Sequence, residues 1–251
     1  MRNLRLWLKY NGTAYHGWQI QENADTVQGQ LESAIEQIFC EKISVNGCSR
    51  TDAGVHANEF CCNFRTESNL ECPTVVRALN AKLPLDIAVV RCEEVPFDFH
   101  ARFDTKSKEY IYKIWNSELR NPFLLDTVYQ YKYELDVVKL DKAAKDFIGT
   151  YDFKAFCASG SSVKDTVRTV KNASVLRDGD LVVFKVEGDG FLYNMVRIMV
   201  GTLIYINEGK INESSVKDII LSGDRNRAGK TVSPEGLYLN KVNYEEGVCN
   251  E

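Results

Sequence analysis

One short polar stretch carries residue types that can do chemistry. From Gly47 to Ala57 the chain reads G-C-S-R-T-D-A-G-V-H-A, which brings Arg50, Asp52 and His56 close together among small, turn-forming residues. The segment is too short and too polar for a core, and polar chemistry on a loop held by a scaffold is where function concentrates. A loop aspartate also commonly caps a backbone N–H. The loop alone leaves both roles for Asp52 open.

A second chemical signal is an arginine in an apolar run. Arg197 is the only charged residue between Phe191 and Ile206. A guanidinium on a helix that is buried on most sides is costly unless a carboxylate or phosphate meets it, although a long arginine can also reach solvent at the rim of a helix. We favour the paired arrangement, in which Asp52 is the partner and the guanidinium keeps its carboxylate ionised.

A tyrosine on a predicted strand is a third candidate. In the run S-K-E-Y-I-Y-K-I-W, alternation places Tyr110 and Tyr112 on one face. A strand tyrosine usually packs in the core or against a neighbouring strand. The alternation alone assigns Tyr110 no other role.

Taken together, these blocks resemble the tRNA pseudouridine synthase A (TruA) family. The string R-T-D-A-G-V-H is similar to the family's signature, and further blocks follow in the family's order: Y-N-G-T-A-Y-H-G-W-Q (10–19), N-A-K-L-P-x-D-I-A-V (80–89), F-H-A-R-F (99–103), F-L-Y-N-M-V-R-I-M-V-G-T-L (191–203) and E-G-L-Y-L (235–239). The resemblance covers essentially the whole chain. One departure is Ser49, where many members have glycine, so the backbone there does not need a conformation that only glycine tolerates.

The resemblance implies an enzyme that isomerises uridine to pseudouridine at positions 38, 39 and 40 of the tRNA anticodon arm. The reaction breaks an N–C glycosidic bond, turns the uracil over and rejoins it through carbon, so it requires a nucleophile and a pocket for the loose base but no cofactor and no metal. The family implies a homodimer whose subunit has two halves with a basic cleft between them. Cytoplasmic location is expected.

The resemblance also implies individual roles. Asp52 is the catalytic nucleophile, Arg50 enters the RNA stack and helps to flip the nucleotide, and Tyr110 and Arg197 contact the substrate at the active site. His100 and Arg102 are expected to contact RNA. For His56 and His100, the choice between binding a phosphate and fixing the loop stays open.

Composition sets limits on these expectations. With 251 residues, 44% hydrophobic and 26% charged, the chain is typical of a soluble globular protein of one large or two small domains. Its amino terminus lacks the pattern of a signal peptide, and the most apolar window is shorter than the roughly 20 residues that span a bilayer. The net charge of −4 is atypical of a nucleic-acid-binding protein, so local basic patches must supply any phosphate contacts.

The eight cysteines form no C-x-x-C pair, and no histidine stands at ligand spacing from them. We therefore expect buried free thiols in a reducing compartment, and neither disulfides nor a metal site.

Hydrophobic periodicity predicts an α+β protein built as two ferredoxin-like βαββαβ halves with antiparallel sheets flanked by helices, and the resemblance implies the pseudouridine synthase fold with a central cleft. The halves are predicted at 1–103, which carries the Asp52 loop, and 104–251. The predicted elements of the first are strands 4–10, 43–48, 59–66 and 87–95, with a helix capped by Asp25 and another beginning at Pro73. Those of the second are strands 108–115, 169–176, 181–187 and 237–244, helices 136–148, 191–207 and 213–221, and an extra strand within 126–131.

Two other functions have to be weighed. A non-catalytic RNA-binding module can share this topology, but the predicted strand 59–66 carries Cys61 and Cys62 where such modules place stacking aromatics. A glycoside hydrolase would need a second carboxylate close to Asp52, and no motif offers one.

Overall fold

A computed structural model describes residues 1–160 and 163–245. Contacts divide the chain into two compact units, one formed by Met1–Lys106 with the chain from Tyr238 onward and the other by Ser107–Leu237. The cysteines within the described residues have free thiols; Cys48, Cys61 and Cys62 are buried, and Cys40 is exposed. Cys249 lies outside the described residues.

The first unit has the ferredoxin-like order of elements. The elements are β1 (Arg2–Tyr10), α1 (Val27–Phe39), β2 (Asn46–Gly47), β3 (His56–Thr66), α2 (Cys72–Asn80) and β4 (Ile87–Val95). Its sheet runs β4-β1-β3-β2, with every neighbouring pair antiparallel. The buried face of α1 repeats at helical spacing, through the residues Val27, Leu31, Ala34, Ile35 and Phe39.

The second unit repeats the order strand, helix, two strands, helix, with additions. The elements are β5 (Ser107–Trp115), β6 (Tyr129–Gln130), α3 (Val137–Lys145), β7 (Gly149–Asp152), β8 (Val167–Asp178), β9 (Leu181–Gly188), α4 (Met195–Asn207) and α5 (Val216–Ser222). The sheet runs β5-β9-β8-β7 with antiparallel neighbours, and β6 pairs with β5 in parallel. The α+β class is thereby confirmed, while β7 was not predicted.

The last strand, β10 (Leu237–Asn243), pairs in parallel with β3, where Tyr238 lies opposite His56 and Leu239 opposite Ala57. The predicted half 104–251 included this strand, whereas contacts group it, from Tyr238 onward, with the first unit. The pairing is available because β2 covers only Cys62 and Asn63 of β3 and leaves the edge at His56 open.

Two local predictions were wrong. The strand predicted at 43–48 shrinks to Asn46–Gly47, because Val45 bonds to a helix side chain instead: its N–H donates to Glu32 Oε1 at 2.8 Å. The cap of α1 is Thr26 and not Asp25, since the Thr26 hydroxyl accepts the Gly29 N–H at 3.2 Å.

Candidate active site

The Asp52 loop is fastened to the segment that follows β1. The Thr51 carbonyl accepts the Trp18 N–H at 3.1 Å, and the Thr51 hydroxyl lies 2.9 Å from the Tyr10 hydroxyl in a buried hydrogen bond. On the other side of Asp52, the Gly54 N–H donates to the Tyr15 carbonyl at 3.2 Å. The half-buried Asp52 therefore sits between two anchored residues.

Glycine is required where this segment crosses the loop. A Cβ on Gly12 would lie 2.0 Å from the Val55 carbonyl oxygen, and one on Gly17 would lie 2.4 Å from the Thr51 carbonyl oxygen. Gly17 also has φ +88°, a conformation that disfavours every side chain. The two glycines of the Y-N-G-T-A-Y-H-G-W-Q block thus let the backbone approach the Asp52 loop closely.

His56 anchors the far end of the loop. Its Nδ1 accepts the Gly12 N–H at 3.0 Å, its ring stacks on Tyr238 at 4.6 Å between centroids, and its side chain is almost fully buried. A nitrogen that accepts a backbone N–H carries no proton, so the imidazole acts here as a fixed acceptor. Of the two roles left open for His56, the geometry supports fixing the loop.

Arg50 stands on the exposed side of the same loop. It precedes Asp52 by two residues, its side chain is exposed, and no hydrogen bond or ion pair to its guanidinium is found in the described part of the chain. The Arg50 side chain is therefore accessible from solvent.

His100 and Arg102 lie together in a turn after β4. The His100 Nδ1 accepts the Arg102 N–H at 3.1 Å, and the imidazole lies 4.3 Å from the ring of Phe103. Arg102 is exposed and His100 is half-buried. Both side chains remain accessible to a polyanion.

In the second unit, Arg197 of α4 is held in one orientation by two hydrogen bonds. Its Nε donates to the Val232 carbonyl and its Nη1 to Asn194 Oδ1, each at 2.7 Å. Gly201 brings the two segments together, because a Cβ there would lie 1.8 Å from the Lys230 carbonyl oxygen. The Val232 carbonyl and the Asn194 side chain are neutral acceptors, so these two bonds orient the guanidinium without adding a counter-charge.

The tyrosines of β5 have different surroundings. Tyr110 is 7% exposed and meets Phe191 edge-on at 5.1 Å between centroids. Tyr112 is fully buried and donates its hydroxyl proton to the Ser233 carbonyl at 2.7 Å. Burial raises the pKa of Tyr112, and the positive charge of the nearby Arg197 opposes this increase. Tyr112 is therefore a structural tyrosine that lies beside the Arg197 guanidinium.

The structure thus brings Arg50 and Asp52 together on one loop and His100 and Arg102 together in one turn. Motif reading missed the frame around Asp52, formed by Tyr10, Thr51 and Trp18. The signal that could have found it is the pair of glycines at 12 and 17. Within the described residues, no group of three His, Cys, Asp or Glu side chains could hold a metal ion. None of the helices there has both the length and the apolar character needed to cross a bilayer.

Comparison with known proteins defines the class. A family described as tRNA pseudouridine synthase matches residues 7–104 and 143–245. A chain in the crystal structure of the archaeal box H/ACA sRNP Nop10-Cbf5 complex aligns over 80% of this chain and 42% of its own length, at 13% identity and a TM-score of 0.36, which is too low to support an argument.

Relatives matched over their full length identify the family within this class. The tRNA pseudouridine synthase A of Clostridium acetobutylicum is 48% identical over 97% of this chain and all of its own length. The proteins of the same name from Acetivibrio thermocellus and Thermoanaerobacter sp. are 47% and 46% identical over the same shares. This chain belongs to the tRNA pseudouridine synthase A family, which supports the enzymatic interpretation and not the non-catalytic RNA-binding module.

Proposed function

We propose that this protein isomerises uridine to pseudouridine in tRNA with Asp52 as the nucleophile. The observation that supports this most directly is the loop itself: a half-buried carboxylate lies between Thr51 and Gly54, both bonded to the frame at Tyr10–Trp18. Such anchoring holds a reacting group in place without reorganisation during the reaction.

The chemistry can be written without an external oxidant or reductant. An oxygen of Asp52 forms a covalent bond with either the ribose carbon or the uracil ring, and the glycosidic N–C bond breaks. The uracil turns over and rejoins the ribose through carbon. The carbon that joins the sugar loses its proton, the released ring nitrogen gains one, and the carboxylate of Asp52 is set free again.

The other predicted site residues have separate roles in the proposed reaction. Arg50 occupies the space of the flipped nucleotide and offsets the cost of unstacking it, about a few kcal/mol. Tyr110 stacks on the detached uracil, and Arg197 keeps Asp52 ionised. Two features support these roles: the exposure of Arg50, and the two bonds that orient the Arg197 guanidinium.

The substrate is proposed to be the anticodon arm, at positions 38, 39 and 40, modified in the cytoplasm by a homodimer. Because the net charge is −4, phosphate contacts have to come from individual basic and hydrogen-bonding side chains. His100 and Arg102 are proposed for that role, since both are accessible and lie within one turn.

The test is pseudouridine mapping on unmodified tRNA incubated with the wild type and with Asp52→Asn. We expect pseudouridine in the anticodon arm with the wild type, and none with the variant although it still binds the tRNA. Turnover by Asp52→Asn would exclude this mechanism. Modification outside the anticodon arm would exclude the proposed positions and leave the mechanism intact.

A further inference from the structure

The exposed turn between β4 and β5 is fixed on its buried side by two asparagine amides. The Asn63 Oδ1 accepts the Ala101 N–H at 2.9 Å, and the Asn63 Nδ2 donates to Asn3 Oδ1 at 3.0 Å. The Asn3 Nδ2 in turn donates to the Phe99 carbonyl at 2.9 Å. Both amides are almost fully buried. Buried polar groups are costly unless paired, and here much of that pairing goes to the turn backbone.

The carbonyl group of Ala101 is held by two hydroxyls. The Ala101 oxygen accepts from the Tyr244 hydroxyl at 2.6 Å and from the Thr105 hydroxyl at 2.7 Å. The Phe99 ring packs against Arg5, whose Cζ lies 5.1 Å from its centroid. The turn backbone at Phe99 and Ala101 is therefore held on several sides, although the turn lies at the surface.

The outward side of this turn presents an aromatic ring beside cationic and imidazole groups. Phe103 is 74% exposed, the Arg102 Cζ lies 5.9 Å from its ring centroid, and the His100 ring lies 4.3 Å away. The Asp104 carboxylate is engaged by the His100 N–H at 2.8 Å. A ring that accepts a base face next to a guanidinium that accepts a phosphate is the usual combination for unpaired nucleotides.

We propose that Phe103 is a stacking surface for an unpaired tRNA base, with Arg102 bonding the adjacent phosphate. The inference rests on the proposed function and adds a binding residue to it. A fixed backbone lowers the ordering cost of binding, which explains why an exposed turn carries so many buried hydrogen bonds.

A second exposed phenylalanine on the same turn provides a contrast. Phe97 is 53% exposed, but the Arg65 Cζ lies 4.2 Å from its ring centroid, and the Arg65 Nη2 donates to the Phe97 carbonyl at 2.9 Å. A guanidinium thus lies close against the Phe97 ring, whereas the guanidinium beside Phe103 lies farther from its ring, at 5.9 Å. Phe97→Ala therefore serves as the matched control for loss of an exposed ring.

The experiment measures binding of an unmodified tRNA transcript at several salt concentrations. We expect Phe103→Ala to weaken binding about 10-fold with an unchanged salt slope, because stacking is lost and no charge is removed. Phe103→Trp should bind as well as the wild type, and so should Phe97→Ala. Arg102→Gln should reduce the salt slope by about one, as expected for a lost phosphate contact.

Each outcome decides the proposal. Equal binding by Phe103→Ala and Phe97→Ala would overturn it, and so would a smaller sedimenting species for Phe103→Ala, which would assign the ring to a contact between copies of the chain. If Phe103→Ala melts early, Phe103→Leu, which keeps the apolar bulk without the aromatic face, replaces it. Wild-type protein that binds tRNA yet makes no pseudouridine would defeat the proposed function while the binding comparison still stands.

Discussion

The buried Gly12 N–H donates to the Nδ1 of His56 at 3.0 Å, and His56 is 1% exposed. This bond joins the segment after β1 to the far end of the Asp52 loop, 44 residues away. The geometry of the Asp52 loop thus depends on a histidine that need not touch substrate.

Replacing His56 with phenylalanine should loosen the loop. The ring that stacks on Tyr238 is kept, but the buried Gly12 N–H loses its acceptor, which costs about 1–3 kcal/mol. We expect the midpoint of urea unfolding and the rate of pseudouridine formation both to fall. His16→Phe, at an exposed position of the same segment, is the control and should change neither. An unchanged midpoint in His56→Phe would show that the acceptor is dispensable.

Gly17→Ala should displace the loop. The added Cβ would meet the Thr51 carbonyl at 2.4 Å in a conformation with φ +88°, so the backbone beside Asp52 has to move. Gly179→Ala is the control, because Gly179 also has positive φ (+56°) but no atom within 4 Å of the added Cβ. It should cost about 1 kcal/mol and leave the rate of pseudouridine formation intact. Similar losses of rate in both variants would contradict the close approach.

Arg197→Met should reduce catalysis more than binding. The proposed role of Arg197 in keeping Asp52 ionised predicts that its removal lowers kcat about 100-fold near neutral pH, with a smaller change in tRNA affinity. Arg197→Lys keeps the charge but cannot reproduce the bonds to both Asn194 and Val232, so it should restore only part of the rate. A loss confined to affinity would instead make Arg197 a phosphate contact.

Glu93→Gln should destabilise the first unit. The Arg5 Nε bonds Glu93 Oε1 at 2.9 Å with the arginine 4% exposed, and removing the carboxylate charge leaves that guanidinium buried without it. The expected loss is about 3 kcal/mol in the free energy of unfolding, measured in urea. The control is Glu213→Gln: its partner Lys142 is 77% exposed, so the loss should stay below about 1 kcal/mol. Equal losses of unfolding free energy in the two variants would mean that burial of Arg5 does not strengthen its ion pair with Glu93.

Long strands and helices were predictable because hydrophobic periodicity alone distinguishes them. The strand predicted at 87–95 matches β4, and the strand predicted at 181–187 differs from β9 by one residue. The strand predicted at 43–48 failed because its backbone bonds to the side chain of Glu32, a contact that no local pattern reveals. Strand β7 has only four residues, too few for alternation to be recognised.

For the site, motifs identified the loop but not its supports. Arg50 and Asp52 fall within one signature string, so the resemblance located them. The bond from Thr51 to Tyr10 joins residues 41 apart, and its partners were assigned no role by sequence alone. The fixation of Arg197 by Val232 depends in the same way on how the chain returns to α4.

Because β10 pairs with β3, the first unit cannot be completed until the end of the chain has been synthesised. Asn58 and Asn240, whose side chains bond at 2.8 Å, are 182 residues apart, and Tyr238 reaches His56 from the same late strand. While the ribosome is still translating the middle of the message, the nascent first unit lacks the aromatic ring behind His56. The Asp52 loop is therefore completed among the last events of folding, and a nascent chain cut short before that strand would carry this loop unfinished.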